Sequence, residues 1–130
     1  MMYPFAIAAT LGALLLYLGT VMIVGRMRIK HKIEAPAVTG HPIFERAFRV
    51  QMNTLESLVF FLPSLWLFAV LVSDKGAGIA GLIWVVARVL YTESYLRDPA
   101  KRGPGASISG LTMIALFLAA TVAFVKALIF

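Results

Sequence analysis

The chain is 130 residues long, 61% hydrophobic and only 14% charged. A soluble domain runs near ~45–50% apolar and ~25% charged, and a small one exposes too much of its area to hide the surplus, so a soluble globular protein is excluded. Ten glycines, six prolines and no cysteine exclude collagen, disordered and disulfide-stapled chains, and with them any thiolate or iron–sulfur site supplied by the chain itself. A net charge of +6 in so apolar a chain suits membrane loops and anionic headgroups; no nucleic-acid partner is expected.

Residues 1–25 carry no charged side chain, which is enough helix to cross a ~30 Å hydrocarbon core. A first span is predicted over about 3–25. The run is too long for a signal-peptide core, with no basic stretch before it and no small-residue cleavage site after it. A second charge-free run covers 57–73; the stretch before it, Phe44 to Glu56, lacks Gly and Pro, so the second span is predicted over 44–73. The third, over 77–96, carries Arg88 and Glu93. The fourth, over 105–128, has Lys126 as its only charge. Breakers mark the loops: Pro36, Gly40 and Pro42 in the first, Ser73–Gly76 as a tight turn, and Pro99, Gly103, Pro104 and Gly105 in the third.

The basic residues gather on two of these loops. The first loop with its flanks holds Arg26, Arg28, Lys30, Lys32, Arg46 and Arg49, the third holds Arg97, Lys101 and Arg102, and the second holds Lys75 alone. The positive-inside rule therefore puts the first and third loops in the cytosol and both termini on the far side. Helices satisfy every backbone group within lipid, and the alternation of an outer-membrane barrel is absent. The expected fold is an all-α membrane protein, a four-transmembrane-helix bundle forming one domain over 1–130. Ala6, Ala8, Ala9, Gly12, Ala13, Gly78 and Gly81 allow close helix contacts.

Charged side chains cost ~2.5–3.5 kcal/mol each at the bilayer centre on insertion scales, so polar residues inside spans point to function. Arg46, Arg49, Asn53 and Glu56 follow one another in steps of 3, 4 and 3 and fall within an arc of about 80° on one helix face. Gln51 lies roughly opposite and could meet the same ligand from another subunit or by reaching round through a helix gap. Arg88, Tyr91 and Tyr95 share a face of the third span. An antiparallel pair would bring both stripes to one depth. A forked cation at Arg49, a carboxylate at Glu56, an amide at Asn53 and two phenols suit a small zwitterionic ligand with several carboxylates and peptide bonds. They do not suit a bare metal. His31 and His41, ten residues apart in the first loop, read as solvated, and no metal site is expected.

The run Phe44-Glu45-Arg46-Ala47-Phe48-Arg49-Val50-Gln51-Met52-Asn53-Thr54-Leu55-Glu56 resembles the signature of the MAPEG family, membrane-associated proteins in eicosanoid and glutathione metabolism. Ala87-Arg88-Val89-Leu90-Tyr91-Thr92-Glu93-Ser94-Tyr95, followed by Arg97 and Arg102, resembles the family's second block. The resemblance implies a homotrimer of four-helix subunits in the lipid bilayer, with glutathione as co-substrate bound between neighbours on the cytosolic side. By position, Arg49, Asn53, Glu56, Tyr91 and Tyr95 match residues that hold the tripeptide. Arg28 and Gln51 match positions that reach it from the adjoining subunit. Arg102 matches the catalytic arginine that activates the thiol in the branch making cysteinyl leukotrienes. The thiolate would then attack a hydrophobic electrophile or reduce a lipid hydroperoxide.

The departures narrow the branch. Ser57 replaces a tyrosine of some eicosanoid-forming members, and Thr54 replaces the acidic residue of the prostaglandin E synthase branch. Arg49 is present where the non-catalytic lipoxygenase-activating branch lacks an arginine. The short loops and Ala/Gly-rich spans suit a bacterial inner-membrane protein, or the endoplasmic reticulum in a eukaryote. Two other readings stay open: a non-catalytic trimer that binds hydrophobic ligands, and a four-span proton-coupled transporter with Glu56 as its carboxylate.

Overall fold

The computed structural model describes all residues, Met1–Phe130. Four long helices follow one another: α1 (Pro4–His31), α2 (Pro42–Leu71), α3 (Asp74–Arg97) and α4 (Gly103–Ile129), with a 3-10 turn over Pro99–Lys101. Each is long and apolar enough to cross a membrane, and the chain is an integral, multi-pass membrane protein. Each helix overlaps one of the stretches read from hydropathy, but α1 and α2 are longer than their apolar cores. At 1.5 Å per residue a helix of 30 residues is about 45 Å long, well beyond a ~30 Å hydrocarbon layer. The first turns of α2 and the last turns of α1 thus stay helical beyond the apolar stretches.

This corrects the first loop, which begins at Lys32 rather than Arg26. Arg26, Arg28 and Lys30 lie on the last turns of α1, where cations favour the negative end of the helix dipole. The helix closes with Lys32 in the left-handed region at φ 55°. Lys32 N–H and Ile33 N–H bond back to the Ile29 and Arg28 carbonyls, a Schellman-type stop. The buried Ile33 then packs with Val24, Phe44 and Ala47.

Cross-helix pairs give the topology. On α2 and α3, Arg46 meets Arg97, Asn53 meets Tyr91, and Phe61 meets Trp84; one number rises as the other falls, so the helices are antiparallel. Phe60 against Phe117 and Ser57 against Met113 make α2 and α4 parallel. The result is an up-down-up-down bundle with α2 and α3 each touching both α1 and α4. Its core centres on Phe61 and Trp84, stacked with centroids 4.1 Å apart and fully buried. The small residues do what their size allows: Ala6, Ala9 and Ala13 are buried against Ala77 and Gly81, and a Cβ at Gly81 would collide with Ala9 Cβ.

The turn between α2 and α3 contains a cap that joins residues far apart in the chain. The Asp74 carboxylate accepts from Phe5 N–H at 3.1 Å and Ala6 N–H at 2.8 Å. It thus satisfies two orphan donors of α1 while sitting in the first turn of α3, where the Ser73 hydroxyl accepts from Gly76 N–H at 3.0 Å. One carboxylate faces the positive ends of two helix dipoles. Asp74→Ala should lower stability by about 1–2 kcal/mol, read as a lower thermal midpoint of the detergent-solubilised protein. An unchanged midpoint would remove Asp74 from this role.

Candidate functional site

The first half of α2 carries the densest polar stripe, and the fold keeps most of it together. Arg49, Asn53 and Glu56 line one cleft of about 340 Å³ with Val38, Thr39, Glu45, Phe48 and Met52. All three polar side chains are exposed. Neither Arg49 nor Glu56 has an ion-pair partner within 4 Å; the only salt bridge is Glu93–Arg97 on the surface of α3, at 3.9 Å. Intrahelical neutralisation is therefore not what these charges do. Arg46 leaves the stripe: its Nη1 donates to the Leu96 and Arg97 carbonyls at 3.4 and 3.3 Å, binding the negative end of α3 to α2.

The α3 stripe meets α2 through one hydrogen bond. Asn53 Nδ2 donates to Tyr91 Oη at 2.8 Å. Tyr91 and Tyr95 are buried, with ring centroids 5.6 Å apart, and pack with Val50 and Ala106. They do not line the cleft; Asn53 links them to it. Beyond Tyr95 stands Arg102, its guanidinium 5.9 Å from the ring centroid. Arg102 is the N-cap of α4, and its Nη1 donates to the Pro99 carbonyl at 2.7 Å, so the 3-10 turn fixes the side chain at the helix boundary. A polar path thus runs from Arg49 and Glu56 through Asn53, Tyr91 and Tyr95 to Arg102, all at the end of the bundle that carries the basic loops.

Gln51 and Arg28 lie off this path within the subunit. Gln51 is half-buried and absent from the cleft wall. Arg28 donates to the Ala37 carbonyl at 2.7 Å and rests 4.8 Å over the Phe44 ring. It thereby pins the loop whose next residues, Val38 and Thr39, line the cleft. His31 and His41 stand at helix ends rather than inside the loop: partly exposed, they close α1 and open α2 with rings stacked 3.7 Å apart, and His41 Nδ1 accepts from Ile43 N–H at 3.1 Å. The spacing of Arg88, Tyr91 and Tyr95 puts them on one face of α3 but does not name what Arg88 meets; it is buried against Thr54 and Tyr91.

A membrane four-helix bundle with an unpaired arginine–glutamate cleft beside two buried tyrosines is the class of protein defined here. The sequence profile of the MAPEG family matches residues 5–122, and the chain belongs to that family. An uncharacterized protein of Synechocystis is 42% identical over 92% of this chain and 86% of its own length. Mouse microsomal glutathione S-transferase 2 is 42% identical over 66% of this chain, and guinea pig leukotriene C4 synthase 35% over 59%. The matched regions cover 58% and 51% of those two enzymes.

Proposed function

We propose that this chain is a glutathione transferase embedded in the membrane. Glutathione carries two carboxylates, one ammonium, two peptide bonds and a thiol. The observation that carries the reading is a cleft in which a cation and an anion, Arg49 and Glu56, stand together without pairing. Each is free to bind the opposite charge of a zwitterion, Arg49 as a bidentate fork on a carboxylate and Glu56 on the ammonium. Asn53 holds the peptide from the cleft wall, the phenols of Tyr91 and Tyr95 meet it where it passes beyond the cleft, and its sulfur reaches Arg102.

At the sulfur the problem is protonation. A thiol with a pKa near ~8.5 is mostly neutral at physiological pH, and a nearby guanidinium favours the thiolate. The N-terminus of α4, which Arg102 caps, adds its positive dipole end. The thiolate then forms a sulfur–carbon bond to a hydrophobic electrophile partitioned into the bilayer, the leaving group departs with its electron pair, and the thiol proton passes to solvent. A lipid hydroperoxide is the alternative second substrate: its O–O bond is reduced to an alcohol and water while two glutathione molecules leave as the disulfide. A homotrimer lets Arg28 and Gln51 reach a neighbour's ligand, which gives these off-path residues a role. The basic end faces the cytosol and both termini the other side; the Synechocystis relative supports a bacterial inner membrane.

Purified protein in detergent, mixed with glutathione and either chlorodinitrobenzene or cumene hydroperoxide, tests the reading. Turnover is expected with at least one acceptor. No turnover together with no heat of glutathione binding would overturn it. Glu56→Ala should weaken glutathione about tenfold, the worth of one charge-assisted hydrogen bond at an exposed site, with kcat changed much less. Unaltered affinity by calorimetry would contradict the role given to Glu56.

A further inference from the structure

Arg88 is the one charged side chain that the subunit buries, at 5% exposure, and it has no acidic partner within 4 Å. Its Nη2 donates to Thr54 Oγ1 at 3.0 Å, while its Nε has no acceptor. A buried, under-bonded cation is costly; a Leu or Met on this face of α3 would pack without that cost. Packing alone therefore does not account for an arginine here, and a charge inside a membrane bundle points to the site it serves.

The nearest feature to that charge is the Tyr91 ring, whose centroid lies 3.9 Å from the guanidinium carbon. The Tyr91 oxygen already accepts from Asn53 Nδ2 at 2.8 Å, and Asn53 lines the cleft. With that acceptor position taken, the remaining capacity of the phenol is its own O–H donor. A cation over the ring draws electron density from it, and a hydrogen bond accepted at the same oxygen adds to the polarisation. Both effects strengthen the phenol as a donor and hold it in one place.

We infer that Arg88 is a positioning residue that acts through Tyr91, locking and polarising the phenol so that its O–H donates to an anionic group of bound glutathione. The inference rests on the transferase reading above. Thr54 sets the guanidinium in its plane over the ring, so the second residue of this device is the threonine that stands in place of an acidic residue in another branch of the family.

A double-mutant cycle tests this. Glutathione affinity is measured by calorimetry for the unmodified protein, Arg88→Met, Tyr91→Phe and the double variant. Arg88→Met should weaken binding about tenfold, as for one hydrogen bond to a charged group. In the Tyr91→Phe background the same change should cost less than about twofold, because the group through which Arg88 acts is gone. Arg88→Lys, which keeps the charge, should recover part of the loss. Should Arg88→Met not fold, Thr54→Val releases the guanidinium from its plane while leaving the cation in place; it should show a smaller loss that again vanishes with Tyr91→Phe. Equal losses in both backgrounds, the pattern of a purely structural arginine, would overturn the inference while leaving the transferase reading intact. Absence of glutathione binding by the unmodified protein would overturn that reading itself.

Discussion

Arg102→Leu is expected to lower conjugation turnover on the order of a hundredfold, the usual cost of removing one group that stabilises developing negative charge, while glutathione affinity changes by less than about threefold. The split follows from where the side chain stands. Arg102 is separated from the Arg49–Glu56 cleft by the two tyrosines, and its neighbours are the Pro99 carbonyl and the Tyr95 ring. It is therefore expected to contribute little to holding the charged ends of the tripeptide and much to the ionisation of its sulfur. Leucine keeps the bulk at the helix boundary and removes only the charge. Because the guanidinium favours the anion, its loss should also move the pH midpoint of thiolate formation upward. Steady-state kinetics, with calorimetry for affinity, reads both halves of the expectation. Equal falls in affinity and turnover would assign Arg102 to binding instead.

The second large effect is expected at Gly105, where no charge is involved. A Cβ there would lie 2.7 Å from Tyr91 N, 2.8 Å from the Ala87 carbonyl oxygen and 2.8 Å from Tyr91 Cα. These are backbone atoms of α3, which no side-chain rotation can move aside. Gly105→Ala must push the first turn of α4 away from α3, and overpacking of this kind costs about 1–3 kcal/mol even where side chains can yield. Gly105 lies three residues after Arg102 and one before Ala106, which packs against the tyrosine pair. The displacement should therefore cut turnover at least about tenfold as well as lower the thermal midpoint. Wild-type stability and turnover in Gly105→Ala would show that the close approach of α4 to Tyr91 is not what positions Arg102.

These two cases show what the sequence could and could not carry. The four spans were legible because apolar runs and breakers are local properties, and the polar stripe of α2 was legible because residues three and four apart share a helix face. That rule correctly placed Arg49, Asn53 and Glu56 together. It misplaced Arg46, since periodicity names a face and not the element beyond it: the end of α3 offered open carbonyls, and Arg46 turned to them. It also ended α1 at the last apolar residue. Hydropathy marks where the membrane stops, whereas the backbone stays helical through charged residues until Lys32 closes it. The Asp74 cap, the stacked pair of His31 and His41 and the approach at Gly105 join residues 68, 10 and 14 positions apart, and single-sequence patterning carries no signal for such meetings. The roles proposed for Arg28 and Gln51 call on a neighbouring subunit, which the pattern of one chain does not describe.

In the proposed reaction, side chains from α2, α3 and the start of α4 grip one peptide thiol and ionise it. Ultraviolet titration of purified protein with glutathione at fixed neutral pH tests it most directly. A thiolate absorbance is expected that grows with added glutathione, saturates at the stoichiometry of calorimetric binding and is lost in Arg102→Leu. Saturable binding with no thiolate band in the unmodified protein would contradict it.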